Sequence, residues 1–161
     1  MTNKLDLFFG NLEVKNNELL SYEEAQKEIF LDWNYKRNKL YMLILYDLNT
    51  EKIHLFQVNI EENNYFETGD IYVEYEPPHP ELDTHKYIIV VKEQKRKIED
   101  QNIPDDFLRF FTALPLPIVG SRLFKVEHEI RRRMSLRRVR FDEPVEESVE
   151  ESVEETTRRT F

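Results

Sequence analysis

The chain has 161 residues, 40% of them hydrophobic and 12% aromatic, with a formal net charge of −9. That is enough to bury one core and too short for two ordinary domains. The absence of cysteine excludes a disulfide framework, a thiolate zinc site and a cysteine nucleophile, and the negative charge argues against nucleic-acid binding by the domain, because neutralising phosphates supplies most of that affinity.

The amino terminus, Met1 to Asp6, carries no basic segment followed by an apolar signal core, and no stretch approaches transmembrane length. The expectation is a cytoplasmic protein. Along the chain, a short β start at Leu12 to Val14 precedes a polar helix or turn around Tyr22 to Lys27. Leu40 to Tyr46 is apolar or aromatic on both alternating faces, as in a strand covered on both sides. The next strand runs from His54 to Ile60, and simple alternation puts His54, Phe56 and Val58 on one face and Leu55, Gln57 and Asn59 on the other. Gly69-Asp70 introduces a further strand through Tyr75, and Tyr87 to Val91 is a second strand with two apolar faces. Two packed sheets are the natural solution.

Ile103-Pro104-Asp105-Asp106 places proline and acids where a first helical turn favours them, and Phe107, Phe110 and Phe111 fall at helical spacing. This helix is expected to cap the sandwich, with its aromatics in the core. After Glu127 the composition changes. Residues 131–140 carry six arginines and residues 142–155 carry eight acids and no base, within a four-residue repeat beginning at Val145 and ending at Thr156. The expected organisation is one domain over residues 1–128 and a disordered tail over 129–161, basic at 131–140 and acidic at 142–157. The tail reads either as a solubilising segment or as a docking arm for an acidic surface, anionic lipid or RNA. Ser135, after Arg132-Arg133-Met134, and Ser148 and Ser152, each near acids, fit short kinase patterns of low specificity.

Between the strands lies the segment Tyr75-Glu76-Pro77-Pro78-His79-Pro80-Glu81-Leu82-Asp83-Thr84-His85-Lys86-Tyr87. Each proline fixes its own φ and biases its predecessor toward extended geometry, so the loop is stiff. It resembles the phosphatidylethanolamine-binding protein family, in which a tyrosine, a proline-containing loop, a Gly-x-His-Arg motif and an apolar strand ending in glutamine follow one another; that glutamine would be Gln94. The family's plant flowering-time regulators run through this stretch without a gap. Leu40 to Asp47 looks like the strand leading into the family's Asp-Pro-Asp-x-Pro motif, His54 to Ile60 like its second histidine strand, Trp33 like its tryptophan, and Pro117-Ile118-Val119-Gly120-Ser121 like its closing turn. The likeness spans about Val14 to Val126. It departs at Asp47-Leu48-Asn49-Thr50-Glu51, which keeps only the first aspartate, at the shortened loop before His54, and where Asp83 and Lys86 replace glycine and arginine.

The resemblance implies a mainly antiparallel β-sandwich with a few peripheral helices and a small anion pocket built from Asp47, His54, His85 and Tyr87, with Pro77 and Pro78 on its rim. The residue types suit a phosphate-bearing headgroup or a phosphorylated group. Imidazoles and a tyrosine hydroxyl donate to an oxyanion, and an aspartate fixes a histidine tautomer. Binding is then expected to strengthen as the histidines protonate. The family also regulates through protein contacts, so a protein partner at the pocket rim or tail is the companion expectation. No cofactor or metal is called for, although two histidines and a carboxylate could in principle form a facial triad. Each site residue also has a structural reading: Asp47 as a turn cap, the histidines as hydrogen-bonded structural groups and Tyr87 as core, with His79 and His128 solvated. The chain lacks a Gly-x-Ser-x-Gly elbow and a phosphate-gripping glycine loop, with only Gly10, Gly69 and Gly120 present. The reading is therefore of a non-enzymatic binding protein, against an interaction protein that keeps the fold with a degenerate pocket.

Overall fold

The computed structural model describes residues 5–61 and 68–129; the expected tail lies outside the described residues. Strands β1 (Asp6–Phe9), β2 (Leu12–Glu13) and β3 (Glu18–Leu20) precede the short helix α1 (Tyr22–Ala25), followed by β4 (Ile29–Asp32), β5 (Leu40–Asp47), β6 (Ile53–Ile60), β7 (Asp70–Val73) and β8 (His85–Gln94). A 3₁₀ turn at Asp100–Asn102, helix α2 (Phe107–Ala113) and β9 (Ile118–Val126) complete the described chain. A three-stranded sheet has the order β2-β1-β4, and a six-stranded sheet the order β3-β9-β8-β5-β6-β7.

The mainly antiparallel sandwich is present, with one parallel pair. Glu18 to Leu20 runs alongside Phe124 to Val126 in the same direction. The smaller sheet uses Ile29–Asp32, whose alternation turns Ile29 and Leu31 inward and leaves Phe30 and Asp32 exposed. Gly10 adopts φ 61°, which lets β1 turn directly into β2 so that Phe9 pairs with Leu12.

Two hydrophobic layers explain why β5 is apolar on both faces. Leu7, Phe9, Ile29 and Leu31 of the small sheet pack in one buried cluster with Leu43, Leu45, Ile89, Val91 and Phe124 of the large one. On the opposite face, Met42, Ile44, Phe56 and Val58 are covered by Phe111, with Phe107 and Phe110 packed around them. The helix thus caps the sheet as its spacing implies. Asp106 is its N-cap and accepts a hydrogen bond from the Arg109 amide. At its other end, the buried Lys92 ammonium donates to the carbonyls of Phe111 (2.7 Å) and Leu114 (2.9 Å) and sits 4.7 Å above the Phe111 ring. A lysine from the sheet therefore supplies donors that the helix end lacks. Burial lowers its pKa.

Helix α1 carries a capping box: Ser21 Oγ accepts from the Glu24 amide, and the Glu24 carboxylate accepts from the Ser21 amide. Gln94, which ends β8, accepts from the Asn59 amide and donates to the Asn59 side-chain oxygen, both at 2.8 Å. Asn59 in turn donates to Asp70 and to the Ile98 carbonyl, so this buried network ties β6, β7 and β8 together at one end of the sheet.

Candidate functional site

The other end of the large sheet holds the candidate site. Strand β5 ends where β6 and β8 begin, so antiparallel pairing brings Tyr46 opposite Ile53 and Asp47 opposite Tyr87. Residues 47, 54, 85 and 87 gather there because of register, although they are separated in sequence.

The face assigned to His54 by simple alternation is corrected by the structure. The β5–β6 register shifts between Leu45 and Tyr46, pairing them with Leu55 and Ile53 and leaving His54 as the extra residue of a bulge. Leu55 joins the inter-sheet core while Phe56 and Val58 join the helix-covered cluster. The His54 ring packs T-shaped with that of Tyr87, itself an inter-sheet residue, their centroids 5.5 Å apart. His54 therefore faces away from Phe56 and Val58 and into the site.

Asp47 divides its two oxygens between the two roles that its position allows. Oδ1 accepts from the amides of Asn49 (2.7 Å) and Thr50 (3.1 Å), closing the turn, and Oδ2 accepts from His85 Nδ1 at 2.7 Å. Burial acts to raise its pKa, but the hydrogen bonds from His85 and the two amides outweigh it and hold the carboxyl below its ordinary value. Asn49, where the resembled motif has its second acid, accepts from the Lys86 amide at 2.8 Å, and the Leu48 amide donates to the Lys86 carbonyl. The shortened loop is thus a hairpin turn stitched to the start of β8. Asp83 takes φ 53°, so the left-handed conformation survives the replacement of glycine by a residue that tolerates it. Lys86 is exposed.

His54 Nδ1 lies 2.7 Å from the Glu76 carbonyl oxygen, and the Glu76 amide donates to the His54 carbonyl at 2.9 Å. A carbonyl can only accept, so Nδ1 carries the hydrogen. The His54 pKa is lowered, chiefly by burial, which outweighs the pull of the Glu76 carbonyl and carboxylate. His79 is not the solvated loop residue expected from its position. Its ring lies 5.6 Å from that of His54 and its Nε2 pairs with the Glu76 carboxylate. Glu76 also pairs with Lys52 at 2.9 Å, and the His79 and Lys52 bonds pull its pKa down to about 2. Sequence reasoning did not single out Glu76; its spacing of three residues from His79 across two prolines was the available signal.

Of the two rim prolines, Pro77 is half-buried and Pro78 is buried, and the Pro78 carbonyl accepts from Gln26 Nε2 at 2.7 Å. Tyr87 is fully buried and its hydroxyl makes no hydrogen bond of regular geometry. Burial raises its pKa, and the nearby Asp47 carboxylate adds to the shift. The centre of the site is closed. Asp47 is 3% exposed, His54 2% and Tyr87 0%, while the His85 side chain is 14% exposed and that of His79 38%. Among the described residues, no group of three or more histidine, aspartate or glutamate side chains is placed to hold a metal ion. A shallow depression between Tyr46 and α2, lined also by Glu51 and Arg109, includes none of the site's residues.

These features define a class: a two-sheet β-sandwich with a histidine–carboxylate cluster where three strands meet. Over 101 residues, 57% of this chain and 58% of the relative, the sequence is 29% identical to Protein MOTHER of FT and TFL1 homolog 2 of Oryza sativa subsp. japonica. The chain therefore spans under two thirds of that relative's length. The structure is similar to that of carboxypeptidase Y inhibitor complexed with its cognate proteinase, with a TM-score of 0.62 at 14% identity over 77% of this chain and 82% of that one. It is also similar to the solution structure of CG7054, with a TM-score of 0.60 at 20% identity over 81% and 90% of the two chains. No family model matches the chain. The fold is that of the phosphatidylethanolamine-binding protein family, of which the rice relative is a member.

Proposed function

We propose that the protein is a non-enzymatic binding module whose Asp47–His85 end takes a small phosphate-bearing group, either a phospholipid headgroup or a phosphorylated moiety. The observation that carries this reading is the 2.7 Å hydrogen bond from His85 to Asp47, with the fully buried Tyr87 hydroxyl beside the same carboxylate. An oxyanion there would accept from Tyr87 and from His85 Nε2, the ring nitrogen left over once Nδ1 is committed to Asp47. Burial of His54 opposes protonation of its ring, so its Nδ1 hydrogen bond to the Glu76 carbonyl describes the neutral form.

The second reading is a surface interaction protein with a degenerate pocket, favoured by the near-complete burial of His54 and Tyr87. Carboxypeptidase Y inhibitor, a structural neighbour, is solved with a protein partner, and protein contact around the rim fits both readings. A histidine-resolved NMR titration with phosphoethanolamine between about pH 5.5 and 7.5, around the ordinary imidazole pKa, separates them. Saturable shifts at His54 and His85 that vanish in His85→Ala are expected. A folded protein with no shift at either histidine would leave the interaction reading standing.

A further inference from the structure

The small sheet turns one face into the core, and its other face has a composition of its own. Along β1 and β4 the inward residues are Leu7, Phe9, Ile29 and Leu31, so alternation leaves Asp6, Phe8, Phe30 and Asp32 on the opposite face. Antiparallel register sets these in rows. Asp6 lies opposite Asp32 and Phe8 opposite Phe30, and on its other side Phe8 faces Glu13 of β2. Glu28, whose carbonyl accepts from the Gly10 amide, extends the same face by one further row. Phe30 is 48% exposed, Phe8 is half-buried, and Asp6, Glu13, Glu28 and Asp32 are all exposed.

Two of these rows cost the fold stability. Like charges directly opposite one another destabilise a strand pair, and an exposed phenylalanine holds apolar area in water. The nearby cations are Lys15, which pairs with Glu13 at 3.4 Å, and Lys27, whose side chain lies over Gly10. Four carboxylates thus frame one aromatic pair, and the face is negative. A guanidinium complements it better than any other side chain: its plane stacks on an aromatic ring while its fork donates to a carboxylate. A lysine ammonium brings the charge without the plane. Successive rows are two residues apart, about 6.6–6.8 Å, which is also the separation of alternate side chains in an extended chain. Arginines at alternate positions of an extended segment therefore reach the aspartate row and the phenylalanine row together.

We propose that the outer face of the small sheet docks an extended, arginine-rich segment of a partner protein, with Phe8 and Phe30 as the stacking surface and Asp6 and Asp32 as the carboxylates that receive the guanidinium forks. The face is open, and a single exposed ion pair contributes little, so the partner is a segment with several arginines. The charge of the face turns away nucleic acid and anionic lipid. This surface lies on the small sheet and stands whether or not the Asp47–His85 end takes an anion.

The test uses the full chain at about 0.15 M ionic strength with a pair of synthetic peptides, one alternating arginine with threonine and the other lysine with threonine. Binding is read from the backbone amide resonances. Saturable shifts over β1 and β4 are expected, with the arginine peptide held at least about threefold more tightly than the lysine peptide. Phe30→Thr keeps a strand-compatible residue at an exposed position; it should weaken the arginine peptide about threefold to tenfold and remove most of its advantage over lysine. Asp6→Asn relieves one of the opposed charges, so the variant should be no less stable than the wild type, and it should weaken both peptides. Equal binding of the two peptides, shifts confined to other faces, or no shift at all overturns the proposal. Unchanged affinity in the folded Phe30→Thr and Asp6→Asn variants does the same. Movement of the same β1 and β4 resonances when the chain alone is diluted would assign the face to a second copy and overturn the arginine-segment reading.

Discussion

Replacing Tyr87 with phenylalanine separates what this side chain does for the fold from what it does for a ligand. The ring is fully buried, meets His54 edge-on and stacks against Phe124 with centroids 5.7 Å apart. All of that packing survives in Tyr87→Phe; only the hydroxyl goes. A buried hydroxyl without a partner costs roughly 1–3 kcal/mol, and its proximity to the Asp47 carboxylate, which contributes to raising its pKa, offsets part of that cost. The expected net change is a stabilisation of about 1 kcal/mol, or an increase of roughly 3–5 °C in Tm for a domain of this size. Phosphoethanolamine affinity should fall about tenfold, the loss of one hydrogen bond to a charged guest. Thermal unfolding and the histidine titration read the two effects separately. A variant destabilised by more than about 1 kcal/mol would mean that the hydroxyl is well satisfied in the free protein. A more stable variant with unchanged affinity would place the hydroxyl outside the binding site.

The remaining predictions concern pH and packing. Because burial lowers the His54 pKa, the unfolded chain takes up a proton from about pH 6.5 that the folded chain refuses. Its contribution is complete above that pH and is lost as pH falls through the folded value, so urea midpoints should drop between about pH 7 and 5; a folded His54→Gln variant with the same slope would refute the assignment. Gly69 has φ 87°, and a Cβ there would lie 2.8 Å from the Val58 carbonyl oxygen and from Ile60 Cγ1. Gly69→Ala should therefore cost about 2 kcal/mol or more by denaturant unfolding, and a neutral result would mean that the β6–β7 connection relaxes freely. Lys92→Ala strips two hydrogen bonds from the end of α2 and leaves a void, for an expected loss of about 2–4 kcal/mol. Lys92→Met refills the volume and should recover part of that loss, whereas equal losses would show that the carbonyl contacts alone matter.

Much of the sheet was legible because local pattern suffices for it. The two-faced apolar runs of β5 and β8 imply cover on both sides, and the structure supplies it with the small sheet on one face and α2 on the other. Pro104, Asp106 and the phenylalanine spacing locate α2 for the same reason, since caps and helical periodicity act within a few residues. Asp47 and His85 were also legible, through a resemblance carried by residue type and order. The face of His54 was not. A bulge is set by the register between two strands, and one extra residue reverses every side chain beyond it. Ile29–Asp32 becomes a strand because β1 lies beside it, and β3 pairs in parallel with a partner about a hundred residues distant. Glu76 and His79 join the site because the proline segment lies back along β6, held by the Glu76 and His54 main chains and by Gln26. By itself, then, the sequence determined the central strands of the large sheet, the capping helix and most of the residue types that gather at the site, because these follow from side-chain periodicity and residue type. Only the tertiary structure decided which nitrogen of each histidine is committed and which remains, because that depends on carbonyl and carboxylate partners brought from elsewhere in the chain.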